Sequence, residues 1–378
     1  MKKNLLFFLV LMFLFHHQTQ AQDSFKKTLK VNGRIQYDYE FLKREKSDTW
    51  FNGNEFRRLQ LSVSGKISPK IKYKVEASFP HGQIGFRDVY IKYLAGDIGN
   101  FYIGSVAEPT GLEVMTSSKY ISFFERAMLS SLQNFKWGSG LHYENFGLLG
   151  GKASLQMALT NNGNNAEGFK DPELEKGNNF VARITATPIK ENNKIIHLGI
   201  NYASRPPKDL KFRPENHMGS KYHYVFPGAT GRQETGFELA GEINNISIQG
   251  EYKMENVDNE LNMDFNMTGY YAMASYFITG EHRPYKHGAF GRVKPIKDID
   301  NGGYGAFEVL LRYSNMTASQ DVANLNPGLP KEINNITFGL NWYLTSHARL
   351  MYNYVITDDQ NKLLGNLSGH LIRVQIDF

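Results

Sequence analysis

The residues best equipped to do chemistry in this chain are its cations, and they are unevenly spread. Between Thr279 and Lys297 stand Arg283, Lys286, Arg292, Lys294 and Lys297, against one acid, Glu281. That stretch has no strand or helix period, whereas the sequence on both sides alternates apolar with polar residues. More cations sit at alternating positions elsewhere: Arg58, Lys66, Lys72, Lys74, Lys92, Lys253, Arg312 and Arg373. The segment 106–137 adds Lys119, Arg126 and Lys136. A cation about 4 Å from an anion contributes roughly 1 kcal/mol in bulk water and about 4 kcal/mol at an effective dielectric near 20. Several in series offset the partial dehydration of a passing anion, provided each holds it weakly enough to let go. Glu76, Asp88, Glu251 and Glu308 share the same polar faces, so ion pairing competes for these cations.

Other chemistries have little to build on. Ser139, His142 and Asn145 are the nearest approach to a hydrolase cluster, but spacing alone says nothing about triad geometry. His282 and His287 match no metal motif. The chain has no cysteine, which excludes disulfides and thiolate metal sites. No phosphate-cradling loop and no nucleic-acid motif is present, and a net charge of +6 makes no separate case for nucleic acid. No cofactor, no metal and no enzymatic activity is expected. A narrow channel that binds some other solute, or an outer-membrane lipid hydrolase, are the alternative readings.

The elements that must carry the cations are strands. Leu59, Leu61, Val63 and Ile67 alternate with Gln60, Ser62, Ser64 and Lys66, and Ile71, Tyr73, Val75, Ala77 and Phe79 alternate with Lys72, Lys74, Glu76 and Ser78. A lysine on a lipid-facing side near the bilayer midplane costs about 2–4 kcal/mol, so the Lys72, Lys74, Glu76 face looks at water. The same pattern predicts strands near 27–39, 56–67, 70–79, 86–94, 99–105, 138–145, 151–160, 179–187, 194–203, 234–243, 246–254, 268–278, 304–315, 332–343, 347–356 and 370–378. Sixteen is an even number, as a single-chain bacterial barrel requires. Short and long connectors alternate, and the basic stretch after the twelfth strand is the exception: a short periplasmic turn is due there. Met1-Lys2-Lys3, the apolar run Leu5 to Phe15 and Thr19-Gln20-Ala21 read as a secretory signal peptide over 1–21. No stretch approaches a membrane-spanning helix. The expectation is an all-β transmembrane antiparallel barrel over 22–378, with inward-folded loops, seated in the outer-membrane lipid.

From about Phe56 to Phe378 the chain resembles the phosphate-selective porin O and P family, in a Bacteroidetes-type form. The residues that carry the resemblance are Thr116-Ser117-Ser118 with Phe124-Glu125-Arg126, the run Ala274 to Glu281, the run Gly288 to Pro295, and Phe338 to Leu344. The resemblance implies a homotrimer of sixteen-stranded barrels, each with its own pore for phosphate-like inorganic anions. It also implies that the third loop folds inward and that arginines and lysines there replace the hydration shell. Relatives usually carry a lysine where Ala107 stands, so one expected pore cation is absent. The candidate pore-lining cations are Lys119, Arg126, Arg283, Lys286, Arg292, Lys294, Arg58, Lys72, Lys74 and Arg312, with Arg283, Lys286, Arg292 and Lys294 expected at an inner-mouth constriction.

Overall fold

A strand with one apolar and one polar face must cover the first and hydrate the second, and it must not leave an edge unpaired in lipid. The computed structural model meets all three demands by closure. It describes residues 25–47, 49–82, 84–132, 137–161, 177–191, 193–360 and 365–378; the signal-peptide expectation for 1–21 and the candidate Lys136 lie outside these. Barrel strands β1 (Thr28–Arg44), β2 (Phe51–Ser68), β3 (Ile71–Ser78), β4 (Gly85–Leu94), β5 (Asn100–Ala107), β6 (Trp137–Gly147), β7 (Ala153–Asn161), β8 (Asn178–Glu191) and β9 (Lys194–Arg205) pair in sequence order. A small hairpin, β10 (Leu210–Phe212) with β11 (Tyr222–Tyr224), interrupts them. The wall resumes with β12 (Ala229–Ile243), β13 (Ile246–Asn259) and β14 (Asn266–Phe277). After a second hairpin, β15 (Tyr285–Lys286) with β16 (Ala289–Phe290), it ends with β17 (Ala306–Ala318), β18 (Glu332–Tyr343), β19 (Ala348–Asp358) and β20 (Leu367–Asp377).

Each of the sixteen expected strands has its counterpart. β1, β2 and β12 run several residues further than the alternation predicts. Their extensions, such as Asn52–Glu55 and Thr230–Gln233, lie at the ends carrying the long connectors, where the outer face no longer needs apolar residues. The two hairpins are too short to have shown a period. β1 pairs with β20 from Arg34–Asp377 to Arg44–Leu367, which closes the barrel. The seam ends on Gly33, whose N–H donates to the Phe378 carbonyl at 2.9 Å while the Phe378 ring covers the place a Cβ would fill. The outward positions are apolar and accessible, as in Ile372, Val374, Ile376 and Phe378. That surface is lipid-facing in a barrel of this kind.

The lumen is not evenly filled. The connector after β5 folds inward, with helical turns at Leu112–Met115 and Leu129–Leu132. Phe123, Ala127 and Leu129 of this loop bury against Tyr271 and Met273 of β14 and Leu310 of β17. The β10–β11 hairpin packs Leu210, Phe212, Tyr222 and Tyr224 beside them on Met128, Met267 and Met316. These contacts explain why β14 is apolar on both faces: one faces lipid, the other a loop.

Candidate functional site

Among the described residues the lumen holds a cavity of about 1650 Å³, bordered mainly by β1–β6, the inward loop and the β9–β12 connector. Its lining contains fifteen lysines and arginines and six carboxylates. Of the residues the sequence singled out, Arg58, Lys72, Lys74, Lys119, Arg126 and Lys286 line it.

Lys72 stands in cross-strand register with Lys66 on one side and Lys92 on the other, a row of like charges that strand pairing alone disfavours. Lys92 bonds Glu144 at 2.8 Å and lies 3.9 Å over the Tyr102 ring. Lys74 sits between Glu76 at 2.5 Å and Asp88 at 2.8 Å. Arg58 donates to Gln36 Oε1 at 2.8 Å and lies 3.6 Å from Glu125.

Two β-bulges supply cations that strict alternation would point at lipid. Gln36 pairs with Arg58 and Tyr37 with Phe56, which leaves Arg57 as an extra residue. Opposite Glu76, β4 fits both Arg87 and Asp88 between the pairs Val75–Val89 and Ala77–Phe86. A bulge re-aims a side chain in this way. Arg57 then reaches Glu125 through Nε at 2.7 Å and Nη2 at 3.0 Å, and Arg87 stacks 4.4 Å over Trp137, both inside the cavity. Arg34 lines it too and donates to Ser118. Arg34, Arg57 and Arg87 were absent from the sequence-based candidates. For Arg34 the signal was present, since it alternates with Ile35 as Gln36, Asp38 and Glu40 do. For Arg57 and Arg87 it was not. Ala107 lies on this wall, paired with Trp137, so no lysine is supplied there.

Wall side chains on strands hold the inward loop in place. Asn341 donates to the Ser122 carbonyl at 2.8 Å, Arg349 to that of Ile121 at 2.9 Å and Arg373 to that of Phe124 at 2.6 Å. Glu251 accepts from the N–H groups of Leu112 and Glu113 at 3.0 and 2.8 Å. Glu125 is the anchor at the loop's tip, taking Arg57, Arg58 and Arg373. Burial alone would raise its carboxyl, but these three guanidiniums pull it well below the usual carboxylate range. Arg126 does not pair with its neighbour; it donates to the Glu113 and Thr116 carbonyls at 2.9 and 2.8 Å. Burial, reinforced by Arg57 and Arg34 and opposed by Glu113 and Glu125, brings Arg126 down to about 10, so it remains charged at neutral pH.

Four candidates take other places. Arg312 is fully buried, bonding Glu215 at 2.6 Å and Glu113 at 3.2 Å, and it stacks on Phe123 beneath the loop, away from the cavity. Arg283 is buried under the Phe290 ring at 3.9 Å, with Gln249 accepting from its guanidinium and Glu242 from its N–H. Arg292 pairs with Asp377 and donates to the Ser346 carbonyl, outside the main cavity. Lys294 is exposed and borders no cavity described. The basic stretch reaches across the lumen from β8 and β9 to β20. The Gly288 carbonyl accepts from Arg183 at 2.8 Å, the Tyr285 hydroxyl meets His197 at 2.5 Å and Arg292 reaches β20. Of its cations, only Lys286 faces the main cavity.

The hydrolase constellation does not form. His142 lies on the inward parity of β6 with its Nε2 on the Gly138 carbonyl at 3.0 Å, while Ser139 shares the opposite parity with the exposed Leu141. Among the described residues no group of three His, Asp or Glu is placed to hold a metal.

A closed sixteen-stranded barrel with an apolar outside, a loop folded into its lumen and an open aqueous cavity defines an outer-membrane porin. The description "phosphate-selective porin O and P" matches residues 29–378, and the chain belongs to that family. It is 27% identical, over 374 aligned positions, to Porin O of Pseudomonas aeruginosa, covering 87% of this chain and 82% of that protein. In fold it is similar to the anion-selective porin from Comamonas acidovorans (TM-score 0.59, 12% identity, 93% of this chain and 100% of that one). Pseudomonas putida OprB gives a TM-score of 0.60 at 10% identity, over 92% of this chain and 94% of its own.

Proposed function

We propose that the cavity conducts inorganic oxyanions such as phosphate by passive diffusion, with Arg34, Arg57, Arg58, Lys72, Lys74, Arg87, Lys92, Lys119, Arg126 and Lys286 as the cations the anion meets. The observation that carries this reading is the charge of the lining, fifteen cations against six carboxylates. In a lumen between the limits of bulk water and protein, that surplus favours anions at every point of the path. Many of these cations keep a protein partner, as Lys74 does with Glu76 and Asp88, which weakens each step and allows release. Two further points support the family's ligand class. The family to which this chain belongs is described as phosphate-selective, and a relative by sequence carries the name Porin O.

The working unit on this reading is a homotrimer. β3 and β5 have 8 residues each and β4 has 10, whereas β1 and β2 have 17 and 18. A spanning strand needs about 9–11 residues, so this low wall suits contact with a neighbouring barrel better than contact with lipid. Reversal potentials across a planar bilayer in a salt gradient test the ion preference. Permeation of potassium over chloride would overturn it. Crosslinking in intact membranes tests the trimer.

A further inference from the structure

Asp377 is the penultimate residue and lies on the inward face of β20, almost fully buried. Its carboxylate gathers cations from two loops, which also meet where Leu112 packs with Phe290. From the basic stretch comes Arg292, bonded to both carboxylate oxygens, with Nη1 to Oδ1 at 3.1 Å. From the inward loop comes Lys119, whose Nζ lies 3.5 Å from Oδ2. Arg292 continues to the inward loop by donating to the Tyr120 hydroxyl at 3.2 Å. His347 comes within 3.9 Å. Lys119 borders both the main cavity and a second, water-sized space that Arg292 and Asp377 also line. Burial lowers the Lys119 ammonium, with Arg34 and Arg292 adding to the effect and Asp377 opposing it.

We infer that Asp377 is a selectivity-setting residue: its carboxylate neutralises one of the two charges that Lys119 and Arg292 would otherwise present at the inner mouth. It thereby tunes how strongly the channel prefers anions and how long one stays there. The assignment rests on the anion-channel reading above. It differs from a latch in the sign of its consequences. Removing the carboxylate leaves Lys119 unneutralised at the cavity, with Arg292 beside it in the adjoining space, and must raise the anion preference; removing Arg292 leaves the carboxylate to Lys119 and must lower it. A latch that only holds the two loops together would widen the mouth in both variants and move the preference the same way in each.

The experiment is conductance of the purified, reconstituted full-length channel, with chloride-over-potassium permeability ratios and block by added inorganic phosphate. Asp377→Asn is expected to raise the ratio and tighten phosphate block, each by roughly fivefold for one unit charge at such a separation. Arg292→Gln is expected to shift both in the opposite direction, and Asp377→Glu to stay near wild type. Shifts of the same sign in Asp377→Asn and Arg292→Gln overturn the assignment, as does no shift in either. If Asp377→Asn fails to fold, Arg292→Gln and Lys119→Gln carry the test: both must lower the ratio, and no change in either overturns the assignment. A wild-type channel without anion preference overturns the parent reading instead, and does so before any variant is made.

Discussion

Lys72 on β3 and Arg373 on β20 both project into the same lumen, yet they have different surroundings. Lys72 is half-buried, faces the open cavity and has lysines as its cross-strand neighbours. Arg373 is sealed, with Asp38 on two of its nitrogens at 2.7 and 2.6 Å, the Phe124 carbonyl at 2.6 Å and the Phe124 ring at 4.1 Å. The same holds for their walls. On β2–β6 the cations border water. On β17–β20, Arg312, Arg349 and Arg373 hold the inward loop by its backbone and carboxylates. An inward-facing basic residue is therefore not by itself a pore residue. The loop decides which wall borders the open cavity.

The largest effect that can break this division is on stability. Arg373→Met leaves the Asp38 carboxylate buried without its partner, and breaking such a pair costs about 3–5 kcal/mol. The denaturant midpoint of the refolded barrel, followed by gel mobility, should fall accordingly. A variant of full stability whose ion preference has changed would erase the distinction between the walls.

On the opposite wall the expectation reverses. Lys72→Gln combined with Lys92→Gln removes two cations that border the cavity and relieves like-charge contact along the row. The chloride-over-potassium permeability ratio should drop by roughly threefold or more. The denaturation midpoint should hold or rise. A loss of stability without a change in permeation would place these lysines with the structural arginines.

Glu125 stands between the two walls, taking Arg57 and Arg58 from one and Arg373 from the other, and it gives the comparison a pH dependence. Its carboxyl is held well below the usual range in the folded barrel despite its burial. The stability it adds is thus fully present above the unfolded glutamate value of about 4.3 and is lost as pH falls from there through the folded value. The Glu125 contribution to the unfolding midpoint should be constant with pH above about pH 5 and decline below about pH 4. In Glu125→Gln that part of the decline should vanish, which a pH series of denaturation curves on both proteins will check.

How much of this was legible in the sequence follows from which forces are local. Strand positions were, because a lipid-facing side and a wet side impose the period of two on every segment, from Leu59 to Ile376. The position of the basic stretch as a connector between the twelfth and thirteenth barrel strands was also legible. Arg57 and Arg87 were not, because a bulge shifts the parity by one residue and leaves no mark in a pattern of alternation. The true places of Arg312 and Arg283 were not either: alternation says that a residue points inward but not whether a loop covers it. A partial signal for the covering existed. Tyr271 and Met273 put apolar groups on the inward face of β14, which suits a strand under a packed loop and not one beside water.

The smallest predicted effect separates two lysines of one stretch. Lys286 borders the main cavity, whereas Lys294, eight residues on, is exposed and borders neither described space. The sequence offers both alike as candidate pore cations, and salt screens either beyond about 8–10 Å. Lys286→Gln should lower the permeability ratio by somewhat less than twofold at moderate salt, since it is a single cation at the rim of a wet lumen. Lys294→Gln should leave it unchanged at every salt concentration, because its field reaches the ion path only through solvent. Measuring both variants at about 0.1 M and about 1 M salt sharpens the point: the Lys286 effect should shrink at the higher concentration, where the screening length falls to about 3 Å. Equal effects from the two lysines would mean that the stretch acts through its total charge, and the position of its cations across the mouth would then carry no selectivity.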